Sequence, residues 1–149
     1  MRLTTFTDYS LRILMYLAAR PERRATIADI AKAFDISENH LVKCAHFLGK
    51  TGWLSNSRGR GGGLTLAVAP SAINLAEVIR ITEDGDVPAE CFQSDTNTCP
   101  ITASCRLRGI FSEAVLAFYG VIAQYTLEDV VRNRVVLKKM LFHSHPPAA

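Results

Sequence analysis

No stretch of this chain is long and apolar enough to cross a bilayer. The longest apolar run, 114–123, is about half the ~20 residues a spanning helix needs. The opening Met1-Arg2-Leu3-Thr4 lacks the apolar run and small-residue cleavage site of a signal peptide. A cytoplasmic location without membrane attachment is therefore expected, and thiols stay reduced there. Cysteine is scarce, with four residues in 149, and no two of them form a C-x-x-C pair, which disfavours a dithiol redox enzyme. No serine, histidine and acid cluster makes a hydrolytic signature. The glycine run 61–63 lacks the Lys-Ser/Thr of a phosphate-binding loop. No internal repeat is present. The chain is not expected to be an enzyme.

What remains is an ordinary folded composition, 48% apolar and 21% charged, in a chain long enough for one core or a small domain plus an oligomerisation element. The net charge of +3 is unevenly spread. Residues 1–69 hold ten Lys/Arg against five Asp/Glu, whereas 70–149 hold seven against nine. A basic half joined to a slightly acidic half suggests a polyanion-binding module on a near-neutral scaffold.

The pattern predicts a first helix from about Thr7 to Ala19, with Leu11, Leu14, Met15 and Ala18 as its apolar stripe and Pro21 ending it. Thr26-Ile27-Ala28-Asp29 reads as a capping box opening a second helix with Ile27, Ile30, Ala31 and Phe34 inward. After a tight turn at Asp35-Ile36, Ser37 caps a third helix to about Gly49, with Leu41, Ala45 and Leu48 inward. Two short amphipathic helices across a tight turn make a helix-turn-helix. Alternating apolar residues on both sides of Arg58-Gly59-Arg60-Gly61-Gly62-Gly63 describe a β-hairpin with two arginines at its tip, the wing of a winged helix. Another short helix is expected over 71–82, using Ile73, Leu75, Val78 and Ile79.

The fold class expected is thus mainly α with a small β-hairpin wing: a winged helix-turn-helix domain over 1–82, a cysteine-bearing loop over 83–105, and a dimerisation helix and C-terminal helix over 106–142. Residues 143–149 read as a loose tail. The long helix should begin near Cys105. Its Leu107, Ile110, Phe111, Ala114, Phe118, Val121, Ile122 and Tyr125 repeat at three- and four-residue spacing. That seam is too apolar for a lone surface helix and suits antiparallel packing against a twin in a homodimer. Thr126-Leu127-Glu128-Asp129 restarts a short terminal helix with its own cap.

Two sets of residues could carry function. On the third helix, Ser37, Asn39, His40 and Lys43 project away from the inward face near the N-terminus, where a recognition helix meets base edges and phosphates of double-stranded DNA. Arg58 and Arg60 would reach the adjacent minor groove or its phosphates. The bland alternative is a solvated helix face and a hairpin tip kept soluble. The second set is Cys91, Cys99 and Cys105, spaced C-x7-C-P-I-x-x-x-C in a short polar loop. Three thiols so close are more economically metal or cluster ligands than packing residues. Iron–sulfur clusters and structural zinc usually take four protein ligands, so one is missing. Zinc loops usually carry closer pairs than these. Cys44, beside an inward position, reads as a buried small residue. Asp8, at the start of the first helix, has a sufficient structural role in the helix dipole.

The stretches Met1-Arg2-Leu3-Thr4-Thr5-Phe6-Thr7-Asp8-Tyr9, Ser37-Glu38-Asn39-His40-Leu41-Val42-Lys43, the Arg58–Gly63 wing, Cys99-Pro100-Ile101 with Cys105-Arg106-Leu107, and Tyr125-Thr126-Leu127-Glu128-Asp129 together resemble the NsrR family of bacterial iron–sulfur winged-helix regulators, whose relatives include IscR and RirA. The resemblance covers nearly the whole chain. It implies a homodimeric transcriptional repressor on a pseudo-palindromic operator, with one cluster per subunit, [4Fe–4S] with [2Fe–2S] as the alternative, held by Cys91, Cys99 and Cys105. It implies nitric oxide as signal, nitrosylation of the cluster releasing operator DNA. In NsrR-like proteins a carboxylate near the other subunit's N-terminus is the fourth ligand, and Asp8 matches it. Arg108 stands three residues past the last cysteine, where the IscR site has histidine. The wide first gap is shared with RirA, so the alternative is an iron- or cluster-status regulator of the RirA or IscR kind. A zinc-stabilised DNA-binding protein is the third reading.

Overall fold

The computed structural model describes residues 2–57, 59, 61–83 and 87–143. Arg58, Arg60 and residues 144–149 of the expected tail therefore lie outside the described residues, whereas His143, expected to open that tail, ends the last helix. The first helix, α1 (Thr5–Ala19), runs through the centre of the fold. Its deepest face is Thr7, Ser10, Ile13, Leu14, Leu17 and Ala18, one i, i+3, i+4 stripe. That face is rotated from the expected one: Leu11 and Met15 lie only partly buried at its margin. Apolar residues occupy nearly every position from Leu11 to Ala19, so hydrophobicity alone leaves the phase open. The polar Thr7 and Ser10 complete the stripe.

Helix α2 (Ile27–Phe34) starts on the expected capping box. The Thr26 hydroxyl accepts from Asp29 N–H at 3.1 Å, and the Asp29 carboxylate accepts from Thr26 N–H at 2.9 Å. Asp35 ends the helix at φ +53°, a left-handed conformation that a short polar side chain tolerates. The chain then turns directly into α3 (Glu38–Lys50). Ser37 holds the N-cap position there without making a side-chain cap bond. Leu41, Cys44, Ala45 and Leu48 of α3 are buried against α1 and α2.

The hairpin pairs β1 (Leu54–Ser57) antiparallel with β2 (Gly63–Leu66), Leu54 opposite Leu66 and Ser57 opposite Gly63. It is anchored to the helix-turn-helix by a bridge: Ala25 and Leu64 exchange both backbone hydrogen bonds, at 3.1 and 2.8 Å. Gly63 has φ +152°, and a Cβ on it would stand 2.9 Å from the Ala25 carbonyl oxygen. Only glycine lets these two backbones approach so closely.

Beyond the wing, the expected helix over 71–82 divides. A 3-10 turn spans Pro70–Ala72, Ile73 is extended and fully buried, and α4 (Leu75–Thr82) follows under an Asn74 cap. Ile73 is drawn out of the helix because its carbonyl accepts from Leu127 N–H at 2.8 Å while Asn74 pairs with Thr126. The long helix α5 (Arg106–Ile122) begins where expected and buries no residue. Phe111, Val115 and Phe118 are half-buried on the side of α4, whereas Leu107, Ile110, Leu116 and Val121 are more than half exposed.

Two short helices, α6 (Leu127–Val130) and α7 (Arg134–His143), return to the first domain. Asp129 accepts from Thr126 N–H at 2.7 Å and from its hydroxyl at 2.8 Å, the cap read from the sequence. Leu127 and Val131 are fully buried in the main core, and Phe142 packs edge-on against Tyr16 at 4.9 Å. No helix among the described residues is long and apolar enough to cross a membrane.

Candidate nucleic-acid interface and cysteine loop

With Leu41, Cys44, Ala45 and Leu48 turned inward, the opposite face of α3 is fixed. Asn39 and Lys43 stand on it, exposed, with Ser37 exposed at the N-cap position before the helix and His40 exposed at the margin of that face. His40 is additionally set against Tyr9 of α1, ring centroids 6.0 Å apart. Val42, 52% exposed, shares this face and was not singled out from the sequence. A β-branched apolar residue there suits the thymine methyl in a major groove. The only signal was an apolar residue out of phase with the core.

A second residue missed by sequence reasoning is Arg24. The Ala25–Leu64 bridge brings it to the base of the hairpin, where it donates to the Ser57 hydroxyl at 2.5 Å. Nothing local announces that long-range pairing. A guanidinium held at this place extends the basic character of the wing by one charge. Asn39→Ala and Lys43→Ala are expected to lower the preference for operator over random DNA by roughly 1–3 kcal/mol per lost base contact. Competition binding against random duplex measures the ratio; an unchanged ratio in both variants would show that α3 reads DNA with other residues.

The cysteine segment is built from polar bonds rather than packing. Cys91 lies in a 3-10 turn over Glu90–Phe92, Cys99 follows a turn at Asn97, and Cys105 occupies the N-cap position of α5. The Glu90 carboxylate accepts from both Thr98 N–H and Thr98 Oγ1, and these bonds hold its pKa below the usual carboxylate value. Thr102 Oγ1 donates to the Cys99 carbonyl at 2.8 Å, and Asn97 Oδ1 accepts from Cys99 N–H at 3.1 Å. The Arg108 guanidinium lies 5.7 Å from the Phe92 ring centroid, closing the loop onto α5. All three thiols are free and half-buried, and no described residue from 87 to 105 is buried.

Within one chain these donors are not brought together. Among the described residues, no group of three His, Cys, Asp or Glu could hold a metal ion. Asp8 sits in the first turn of α1, where its carboxylate pairs with Arg12 at 2.8 Å. The donor chemistry nonetheless fits a cluster: three reduced thiols, solvent-accessible, in a segment whose rearrangement breaks no core. Cys44 is different in kind. It is 1% exposed, donates weakly to the Phe6 carbonyl at 3.7 Å, and burial pushes its thiol pKa up. It behaves as a packing residue.

A helix-turn-helix with an exposed polar recognition face, carrying a hairpin bridged to its first helix, defines a winged-helix DNA-binding transcriptional regulator. The family model Rrf2, described as an iron-dependent transcriptional regulator, matches residues 3–133, and the chain belongs to the Rrf2 family. It is 45% identical over 142 residues to the HTH-type transcriptional regulator NsrR of Bacillus subtilis strain 168, covering 95% of this chain and 97% of the relative. The NsrR of Shouchella clausii strain KSM-K16 is 44% identical over 142 residues, 95% of each chain. Among solved structures, CymR, the global cysteine regulator of B. subtilis, matches with a TM-score of 0.67 and 26% identity, over 89% of this chain and 98% of that one. The two NsrR relatives are transcriptional regulators by name.

Proposed function

We propose that this chain is a dimeric repressor that holds an iron–sulfur cluster and leaves its operator when nitric oxide attacks that cluster. The observation that carries the reading is the position of Cys105 at the N-cap of α5, a helix that buries no residue. The third thiol is thereby rooted in the element whose outward apolar face, Leu107, Ile110 and Val121, needs a second copy to cover it. Cluster site and dimer interface become one continuous structure. Cys91, Cys99 and Cys105 would hold three corners, and Asp8 of the partner subunit, as NsrR-like proteins imply, the fourth.

A bound cluster would supply nitric-oxide-reactive iron, and a hard carboxylate beside three soft thiolates leaves one corner the most labile. The chain's own residues do the rest. Asn39 and Lys43 on α3 meet the major groove, while Arg24, Arg58 and Arg60 neutralise phosphates and release counterions. Loss of an inter-subunit ligand acts on DNA only by biasing the relative pose of the two recognition helices, a two-state geometry.

An anaerobic titration of the holo-protein with nitric oxide, followed by visible absorbance and operator binding together, tests the proposal. Absorbance change and DNA release are expected to run in parallel. A brown protein that keeps its operator under nitric oxide, but loses it on iron chelation, would instead be a cluster-status regulator; the wide gap between Cys91 and Cys99 is what favours that second reading. A colourless zinc protein would remove both.

A further inference from the structure

We propose that Glu83 and Thr7 latch the root of the cysteine loop to the first turn of α1, and that this latch carries the state of the loop to the recognition helix. The inference rests on the function proposed above and adds the route by which one site reaches the other.

Glu83 is the C-cap of α4, the point from which the chain departs toward the cysteines. Its Oε1 accepts two hydrogen bonds from one residue at the other end of the domain: Thr4 N–H at 2.7 Å and Thr4 Oγ1 at 2.9 Å. Bonds to an ionised acceptor are roughly twice as strong as neutral ones. Directly beneath, Thr7 Oγ1 donates to Thr82 Oγ1 at 2.9 Å, and Thr82 Oγ1 donates to the Val78 carbonyl at 2.8 Å. Thr7 is fully buried and Thr82 is 7% exposed, so this second bond is shielded from water. Two adjacent residues of the loop root, 82 and 83, are thus tied to Thr7 in the first turn of α1 and to its N-cap Thr4.

The neighbouring face of the same turn rests on α3. Phe6 packs edge-on against Phe47 with ring centroids 5.3 Å apart, its carbonyl accepts from Cys44 Sγ, and Tyr9 lies against His40. His40 stands at the margin of the exposed face of the recognition helix. Asp8, the residue proposed to reach the partner's cluster, falls in this same turn. The start of α1, with its N-cap, therefore touches the loop root through residues 4 and 7 and α3 through residues 6 and 9. It cannot shift for one without shifting for the other. Room for such a shift exists toward α5, in a cavity of about 560 Å³ lined by Leu3, Ile79, Glu83, Phe111 and Phe118. Close-packed interiors transmit displacement, and a void at the loop side permits it.

The test compares Glu83→Ala, Glu83→Gln and Thr7→Val in the full-length holo-protein. Glutamine keeps an oxygen that can accept both Thr4 bonds, and valine keeps the shape of threonine without its hydroxyl. Three readouts are taken: iron content with visible spectrum, operator affinity before and after nitric oxide, and amide hydrogen exchange over residues 5–9 and 38–47. In Glu83→Ala and Thr7→Val the iron and spectrum should be unchanged, because neither residue is a ligand. The nitric-oxide-driven loss of operator affinity, about 5–150-fold in an ordinary coupled system, should shrink at least about fivefold. Exchange should quicken in both segments, and Glu83→Gln should restore most of the coupling. Loss of iron in Glu83→Ala would make it a cluster-retention residue and overturn the proposal, as would wild-type coupling with wild-type exchange. Should Glu83→Ala fail to fold, Thr7→Val decides alone. If the wild-type protein ignores nitric oxide, the sensing function falls separately. The latch is then judged by exchange, and unchanged protection of residues 38–47 in Glu83→Ala and Thr7→Val removes it.

Discussion

Alanine at Cys91, Cys99 or Cys105 is expected to abolish iron retention after anaerobic reconstitution, each substitution alone reducing iron and sulfide to background. A four-ligand site that loses one of three thiolates keeps too few donors to hold a cluster. The fold should survive. No described residue between 87 and 105 is buried, and the loop is held by its own polar bonds. Surface changes of this kind stay within about 0.5 kcal/mol, so thermal unfolding of the three apo variants should match that of apo wild type. Cys44→Ala makes the opposite pattern. It removes a buried sulfur from between α1 and α3 and should cost about 1–2 kcal/mol, while iron loading stays complete. Iron and sulfide analysis beside a melting curve separates the two classes, and full loading in any loop variant would remove that cysteine from the site.

Local chemistry made the helix-turn-helix legible. Thr26 and Asp29 announce a capping box, Leu41, Ala45 and Leu48 mark the buried face of α3, and the complement of that face is the one proposed to meet DNA. The phase of α1 was not legible, because its core stripe includes Thr7 and Ser10 and apolar residues crowd both sides. Long-range pairings were invisible as well. Ile73 leaves its expected helix because it bonds to Leu127, and Arg24 reaches the wing only through the Ala25–Leu64 bridge. The exposed seam on α5 was readable from periodicity. The structure adds that Phe111 and Phe118 turn toward α4 while Leu107, Ile110 and Val121 face outward. Spacing gave the three thiols but could not gather them, since the chain on its own assembles no metal-holding group among the described residues.

Asp8→Ala is expected to give a cluster lost to chelator or oxygen at least ten times faster than in wild type, with altered visible absorbance and a weakened response to nitric oxide. Outer-shell partners of metal ligands already contribute 10–100-fold in affinity, so a direct ligand should contribute no less. Its in-chain role predicts far less: Asp8 lies in the first turn of α1 and pairs with Arg12 at 2.8 Å, the two side chains 46% and 37% exposed. Loss of a helix-dipole acid and a solvent-screened ion pair costs about 0.3–1 kcal/mol of stability and no iron. Arg12→Ala serves as control, since it breaks the same ion pair and leaves the carboxylate in place. Asp8→Cys offers a fourth thiolate and should slow the reaction with nitric oxide. The decisive form is a mixed dimer of one Asp8→Ala chain and one Cys91→Ala chain. If the carboxylate crosses the interface, the intact cysteines of the first chain meet the intact Asp8 of the second, and one wild-type-like site forms per dimer. If each chain supplies its own Asp8, both sites are defective and no stable cluster forms. A mixed dimer without such a site, or an Asp8→Ala homodimer with wild-type spectrum and kinetics, removes Asp8 from the partner's cluster and leaves it a first-turn helix-dipole acid paired with Arg12.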